Sequence, residues 1–397
     1  MSSLICIIDI FYFIDYNEKM MIECKAYDLN RCKSCDLIKS PYDDGLNLKI
    51  NALTNLFGNS KILEPIRSER IIGYRNKAKF IIGGDLTRPI LGIPSPADSF
   101  AVSPLTDCPL HSKNMNDLAN LILTNITEFN LNPYDLKSKK GEFKYLIISQ
   151  GHLTDELSIR FGMRSLESFE RVKKLYNKLI QANKKIKVVC FEVQSKHAAI
   201  FEGVEYFLSP DKYIQHDLSD ITLSSSTSNF FQVNAMVAKK LYKNVFNRFK
   251  DENITISLDL FCGVGGFAQE LGVFSKKVFG IEINQVAIDC ANFSVKQNDL
   301  SNIKFICDDA NNFKVHIKEE IDLVVVNPPR RGIGQNLCEL LNSINSNYIV
   351  YSSCNAKSLS KDIEFLGDNY QIESITPVDM FPLTNHLEVL CILVKVS

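Results

Sequence analysis

The chain has 397 residues, room for two or three domains, and its 45% hydrophobic and 23% charged content is ordinary for a globular protein. A net charge of −1 excludes a globally basic nucleic-acid binder, so any such contact needs a local basic patch. Twelve cysteines without compact, even spacing in a chain this long argue against a secreted disulfide scaffold.

Leu4 to Ile14 is apolar, but Asp9 interrupts it and Asp15 closes it. It is too short to span a bilayer and lacks the basic start and cleavage site of a signal peptide. Met20 and Met21 follow, so residues 1–20 read as an extension the fold does not need. No other segment suits a membrane, and a cytoplasmic location is expected. Residues 21–110 open with Cys24-x7-Cys32-x2-Cys35. Such spacing serves zinc, iron–sulfur clusters and redox pairs alike. Cys108, followed by Pro109, is the best fourth ligand, as Cys-Pro recurs among cluster ligands. No histidine lies close by, which weakens a zinc finger. Unligated cysteines are the plainer alternative.

Leu46 to Phe57 has apolar residues at helical spacing, and Gly73 to Ile82 reads as a strand. Alternation would put Arg75, Lys77 and Lys79 on one face, suited to a phosphate backbone or simply guarding a sheet edge. Residues 111–223 read as a mostly antiparallel α+β domain and an RNA platform. Its expected strands are Tyr145 to Ser149, Glu156 to Met163, Val188 to Gln194 and Ala198 to Glu202, with a helix over Phe169 to Lys185. Lys137, Lys139, Lys140 and Lys144 form a second basic cluster. Ser224 to Ser228 reads as a linker into a last domain, residues 224–397. Gln232, beside two aromatics, could hydrogen-bond a ligand. Asn234 can cap a helix over Ala235 to Phe249.

From Ile254 strands and helices alternate, as in a parallel doubly wound sheet. Leu258-Asp259-Leu260-Phe261 runs into the glycine loop Cys262-Gly263-Val264-Gly265-Gly266, and the next strand ends in Glu282, where an acid binds a ribose diol. Gly263 to Ala268 also fits a dinucleotide fingerprint, so a nicotinamide enzyme competes. Asn327-Pro328-Pro329 closes a later strand, leaving an amide facing a rigid wall. Hydride transfer needs no such wall. The combination resembles Rossmann-like S-adenosylmethionine-dependent methyltransferases. Asp309 or Asp308 stands where such folds contact adenine.

Tyr351-Ser352-Ser353-Cys354 ends another strand in a thiol, either a core cysteine or a nucleophile. Thiolate addition to carbon 6 of uracil would make carbon 5 enolate-like and able to attack a methyl group, after which a base must take the carbon 5 proton. Glu388, starting the last apolar strand, is the candidate base; a surface carboxylate is the plain alternative. Together, Asp-Leu-Phe-Cys-Gly-Val-Gly-Gly-Phe, Asn-Pro-Pro-Arg-Arg-Gly-Ile-Gly, Tyr-Ser-Ser-Cys-Asn and His-Leu-Glu-Val-Leu resemble the RNA uracil-C5 methyltransferase family, from about Cys24 onward. The resemblance implies a [4Fe-4S] cluster on Cys24, Cys32, Cys35 and Cys108. It implies S-adenosylmethionine contacts from Gln232, Phe261, Glu282 and Asn327, with Cys354 as nucleophile and Glu388 as base. It points to a branch acting as a monomer on 23S ribosomal RNA. The rivals are a tRNA uracil-54 enzyme, a nicotinamide-dependent iron–sulfur oxidoreductase and a non-catalytic RNA-binding cluster protein.

Overall fold

The computed structural model describes residues 22–98, 100–197, 201 and 203–396. The extension expected over residues 1–20, and most of the strand expected over Ala198 to Glu202, lie outside them.

Two helices precede the first sheet, α1 (Lys25–Asp28) and α2 (Tyr42–Phe57). The second starts one turn earlier than its apolar spacing suggests. Asp43 and Asp44 occupy that first turn, where carboxylates favour the helix dipole.

The first sheet takes seven strands: β1 (Lys77–Gly84), β2 (Pro89–Pro94), β3 (Val102–Pro104), β4 (Phe143–Gln150), β5 (Leu157–Met163), β6 (Ile186–Val193) and β7 (Val204–Phe207). Their order is β3-β2-β1-β4-β5-β6-β7. Every pairing is antiparallel except β5 with β6. Helices α3 (Lys113–Asn125) and α4 (Phe169–Ala182) cover one face, packing on Ala78, Phe80, Ile82, Ile148 and Phe161. Each of these Ile and Phe side chains contributes roughly 1.5–3 kcal/mol when fully buried. Because successive residues of a strand point to opposite faces, Lys77 and Lys79 emerge on the other side. β1 lies inside the sheet, so its lysines guard no edge. Lys144 departs from the expected basic cluster: it is buried, and its ammonium donates to Gln194 and the carbonyl of Lys196.

The serine run is not a linker. A hairpin, β8 (Ile214–Asp217) and β9 (Thr222–Ser225), absorbs its first half. Ser224, Ser225, Ser226 and Thr227 are buried. Their polar groups find partners inside, including Ser225 Oγ with His216 Nε2 at 2.7 Å and Thr227 Oγ1 donating to Glu205 at 2.7 Å. Internal hydrogen bonding removes the cost of burying hydroxyls.

The second sheet holds β10 (Ile256–Leu260), β11 (Lys277–Glu282), β12 (Ile303–Cys307), β13 (Leu323–Val326), β14 (Tyr348–Ser353), β15 (Tyr370–Val378) and β16 (Glu388–Lys395). The order is β12-β11-β10-β13-β14-β16-β15. β10 to β14 run parallel, as the alternation predicts, and the last two strands pair antiparallel. Helices α5 (Ala235–Phe249), α6 (Gly266–Gly272) and α7 (Gln285–Gln297) cover one face. The opposite face takes α8 (Phe313–His316), α9 (Gly334–Asn342), α10 (Ala356–Leu366) and Leu53 of α2. Lys49 of α2 makes a buried 2.8 Å ion pair with Asp379, just past β15. The N-terminal segment is thereby fastened to the second sheet.

Candidate active site

The carboxyl ends of β10, β11, β13 and β14 lie along one edge of the sheet, where such sheets usually bind ligands. Asp259 is buried and accepts the Ala268 N–H at 2.9 Å, clamping α6 to β10. Burial, with the Glu282 charge added, pushes its carboxyl up to about 8. Phe261 follows at φ +60, a conformation uncommon for a residue with a side chain. At Gly265, φ is +83 and a Cβ would sit 2.6 Å from the Phe305 ring, so the tight turn requires glycine. Glu282 closes over this loop, accepting Gly263 N–H at 3.3 Å and Asn284 N–H at 2.9 Å. Asn327 donates its N–H to Leu260 O at 3.3 Å, joining the Asn-Pro-Pro turn to β10.

Gln232 is buried, and its carbonyl accepts from Asn76 Nδ2 at 2.8 Å. The first sheet thus holds the segment carrying it. Asp308 and Asp309 are spent on local structure. Asp308 contacts His316 at 2.6 Å and Asn312 at 2.8 Å, which bring its carboxyl down to about 2, while Asp309 accepts Asn311 N–H at 2.8 Å.

β14 and β16 pair Ser352 with Leu390 and Ser353 with Val389. Cys354 follows directly after Ser353, the last residue of β14, and Glu388 opens β16 just before Val389. Glu388 is buried, and its Oε1 accepts the Ser352 hydroxyl at 2.6 Å. Burial pushes its carboxyl up to about 7, with Ser352 pulling the other way. The half-buried Cys354 thiol is held above its ordinary value, first by burial and then by the Glu388 charge, while the nearby Arg330 guanidinium opposes both. Asn355 Nδ2 donates to Arg330 O at 2.9 Å, fixing that loop beside the thiol. Behind it, Asp362 accepts Ile333 N–H at 2.8 Å, Gly334 N–H at 3.0 Å and the Tyr351 hydroxyl at 2.6 Å.

Sequence reasoning assigned no role to Arg330 or Ser352. The signal for Ser352 was available: residues two apart in a strand share a face, so Ser352 stands on the side of Cys354. Arg330 lay inside a quoted motif, but only the fold brings its loop to the thiol.

Cys24, Cys32, Cys35 and Cys108 line one cavity of about 580 Å³ between the N-terminal segment and the first sheet. Burial, together with the charges of Cys108, Cys32 and Cys24, pushes the Cys35 thiol up to about 12. Among the described residues no three His, Cys, Asp or Glu are gathered closely enough for a single metal ion. The sulfurs around a four-iron cube stand farther apart than those around one ion, and all-thiol donors suit such a cluster. Arg75, Lys77 and Lys79 line the same cavity.

The sequence profile of the tRNA (uracil-5-)-methyltransferase family matches residues 109–396. The chain is 38% identical over 393 residues to the 23S rRNA (uracil(747)-C(5))-methyltransferase of Actinobacillus pleuropneumoniae serotype 5b, covering 95% of this chain and 100% of that relative. The enzyme of that name from Yersinia enterocolitica is 35% identical, with 94% and 100% covered. Among solved structures, Pyrococcus abyssi tRNA (uracil-54, C5)-methyltransferase in complex with S-adenosyl-L-homocysteine superposes with a TM-score of 0.76 at 24% identity, covering 91% of this chain and 85% of that one. The α/β fold is shared.

Proposed function

Because the chain belongs to the tRNA (uracil-5-)-methyltransferase family, we propose that it methylates carbon 5 of a uracil in 23S ribosomal RNA, the residue equivalent to 747, using S-adenosylmethionine. The rRNA target rests on the names and full-length coverage of the relatives. The observation that supports the mechanism is that the ends of β14 and β16 bring Cys354 within electrostatic reach of both the Glu388 carboxyl and the Arg330 guanidinium.

Gln232, Phe261, Glu282 and Asn327 would hold S-adenosylmethionine, which supplies an electrophilic methyl group. The Cys354 sulfur adds to carbon 6 of the uracil, and the electron pair of the 5,6 double bond moves to carbon 5 and the neighbouring carbonyl. Carbon 5 then forms the bond to the methyl carbon as the sulfonium sulfur departs with its electron pair. Glu388 removes the carbon 5 proton, the double bond re-forms, and Cys354 leaves as thiolate. A carboxyl near 7 suits a base at neutral pH. Arg330 stabilises the thiolate as it forms and as it leaves. A nicotinamide-dependent reaction would leave this pair without a task.

We also place a [4Fe-4S] cluster on Cys24, Cys32, Cys35 and Cys108, supported by four thiols converging on one cavity. No step of the methyl transfer passes through it.

The test is transfer of labelled methyl from S-adenosylmethionine to unmethylated 23S rRNA, with tRNA as the control substrate. Cys354→Ala should abolish transfer. Glu388→Gln should lower it by about 10²–10⁴-fold and accumulate an RNA–protein adduct that survives denaturation. Label in tRNA alone, or full activity in Cys354→Ala, would overturn the proposal.

A further inference from the structure

The cavity that holds the four thiols continues into a wall of cations the reaction does not use. Arg75, Lys77, Lys79 and Arg160 all face it, with Asn229 and Phe201. The strands explain the convergence: Lys79 pairs with Ile147 on β4, and Ile147 pairs with Arg160 on β5, so the two cations share a row. Arg160 is 3% exposed and Asn229 is 1% exposed, yet Arg160 Nε and Asn229 Nδ2 have no hydrogen-bond partner among the described residues. Arg75 Nε is buried without one as well. An unsatisfied buried donor costs about 1–3 kcal/mol, so three lining one cavity point to a missing acceptor. Two carboxylates oppose the cations. Glu192 pairs with Arg160 at 3.1 Å, and Glu205 is engaged by the Thr227 and Ser228 hydroxyls at 2.7 and 3.1 Å. The four basic side chains thus outnumber the two carboxylates, both of which already have partners.

We propose that this wall is an RNA subsite that takes a backbone phosphate of a nucleotide flanking the target uracil. The proposal rests on the RNA substrate argued above. A phosphodiester offers acceptor oxygens to several donors at once, as the unpaired Nε–H and amide groups require. Lys79 lies 5.2 Å from the centre of the Phe201 ring, so an aromatic surface borders the cation. Burial and the neighbouring Arg160 and Lys79 charges bring the Lys77 ammonium down to about 7, and an incoming anion would restore its charge. The Lys77 ammonium donates to Asn229 O at 2.9 Å, so phosphate binding here would stiffen residues 229–233, the stretch that carries Gln232.

The experiment measures the affinity of a labelled 23S rRNA stem-loop containing the target uracil, across a series of KCl concentrations. Exposed Lys79 is changed to Gln and to Arg, and Arg75 to Gln; S-adenosylhomocysteine binding verifies that each variant is folded. Lys79→Gln should weaken RNA binding about five- to tenfold and lower the slope of log affinity against log salt by about 0.7, while Lys79→Arg restores both. Replacing single phosphates with neutral methylphosphonates should reveal one linkage whose neutralisation weakens the wild type but adds nothing in Lys79→Gln. Unchanged affinity and slope in both neutral variants would overturn the subsite while leaving the methyltransferase reading intact. So would the absence of such a linkage, which would fit an acidic peptide or another ligand. Failure of the wild type to bind or methylate RNA would overturn both.

Discussion

Ser352 and Glu388 meet across antiparallel strands, the serine hydroxyl donating a 2.6 Å hydrogen bond to the buried carboxylate. Burial raises this carboxyl from its ordinary 4.5 to about 7, and Ser352 is the group that restrains it. Ser352→Ala removes a bond to a charged acceptor, worth about 1.5–3 kcal/mol, or roughly one to two pH units. In the proposed mechanism Glu388 serves as a base only when ionised, so the acid limb of the pH–rate profile should move upward by about one unit or more. Activity at pH 6.5 should collapse in the variant and recover near pH 9. Stability should move the opposite way. A carboxyl whose folded pKa is raised binds its proton more tightly folded than unfolded, so its contribution falls as pH rises from 4.5 to about 7. An acid limb that stays in place in Ser352→Ala would remove Ser352 from this role.

Arg330 answers the question of what offsets burial at the proposed nucleophile. It is the charge that lowers the Cys354 thiol against burial and Glu388. Arg330→Met should therefore slow alkylation of Cys354 by iodoacetamide at neutral pH and shift the alkylation midpoint upward. Thiolate, not thiol, is the attacking species. Arg330→Lys should recover part of the effect, because a point charge replaces a directed fork. Equal alkylation profiles for Arg330→Met and the wild type would exclude the guanidinium as the stabilising group.

Much of the second sheet could be read from the sequence because parallel strands buried on both faces leave continuous apolar runs, such as Val324-Val325-Val326, each ending in chemistry. The helix over Ala235–Phe249 was equally plain from its Asn234 cap. What escaped was set by contacts distant in sequence. The serine run reads as a linker by composition, yet its hydroxyls are buried against His216 and Glu205. Lys144 reads as surface charge, but the Gln194 segment captures it. Arg330 reaches Cys354 through the Asn355–Arg330 hydrogen bond, which no local pattern announces.

The Lys49–Asp379 pair gives a stability prediction independent of catalysis. Both side chains are almost wholly buried, and Lys49 also donates to Phe381 O at 3.0 Å. Lys49→Met strands a carboxylate in the interior and should cost about 3–5 kcal/mol. The double variant Lys49→Met/Asp379→Leu removes both charges and should recover most of that loss. Urea denaturation of the single and double variants reads both numbers. A double variant no more stable than Lys49→Met would show that the pair, and not the stranded charge, supplies the stability.

Removing the proposed cluster should loosen one particular contact. Cys35 packs with Ile38, Tyr74, Leu110 and Leu383, and Leu37 N–H donates to Leu383 O at 3.0 Å, so the thiol segment rests on the connection between β15 and β16. Without metal the Cys35 and Cys108 thiols would be protonated, since burial and mutual charge push Cys35 to about 12 and burial pushes Cys108 to about 11. Apolar packing, such as Cys35 against Leu110, then has to hold residues 24–35 near Cys108. Anaerobically purified protein should be brown and contain iron and sulfide. Cys35→Ser should lose both and become sensitive to proteolysis within residues 24–40. Methyl transfer moves no net electrons, so the activity lost with the cluster should track this loosening and should not return on adding a reductant. A colourless anaerobic preparation containing zinc would refute the cluster, and restoration of the variant by reductant alone would refute a structural role.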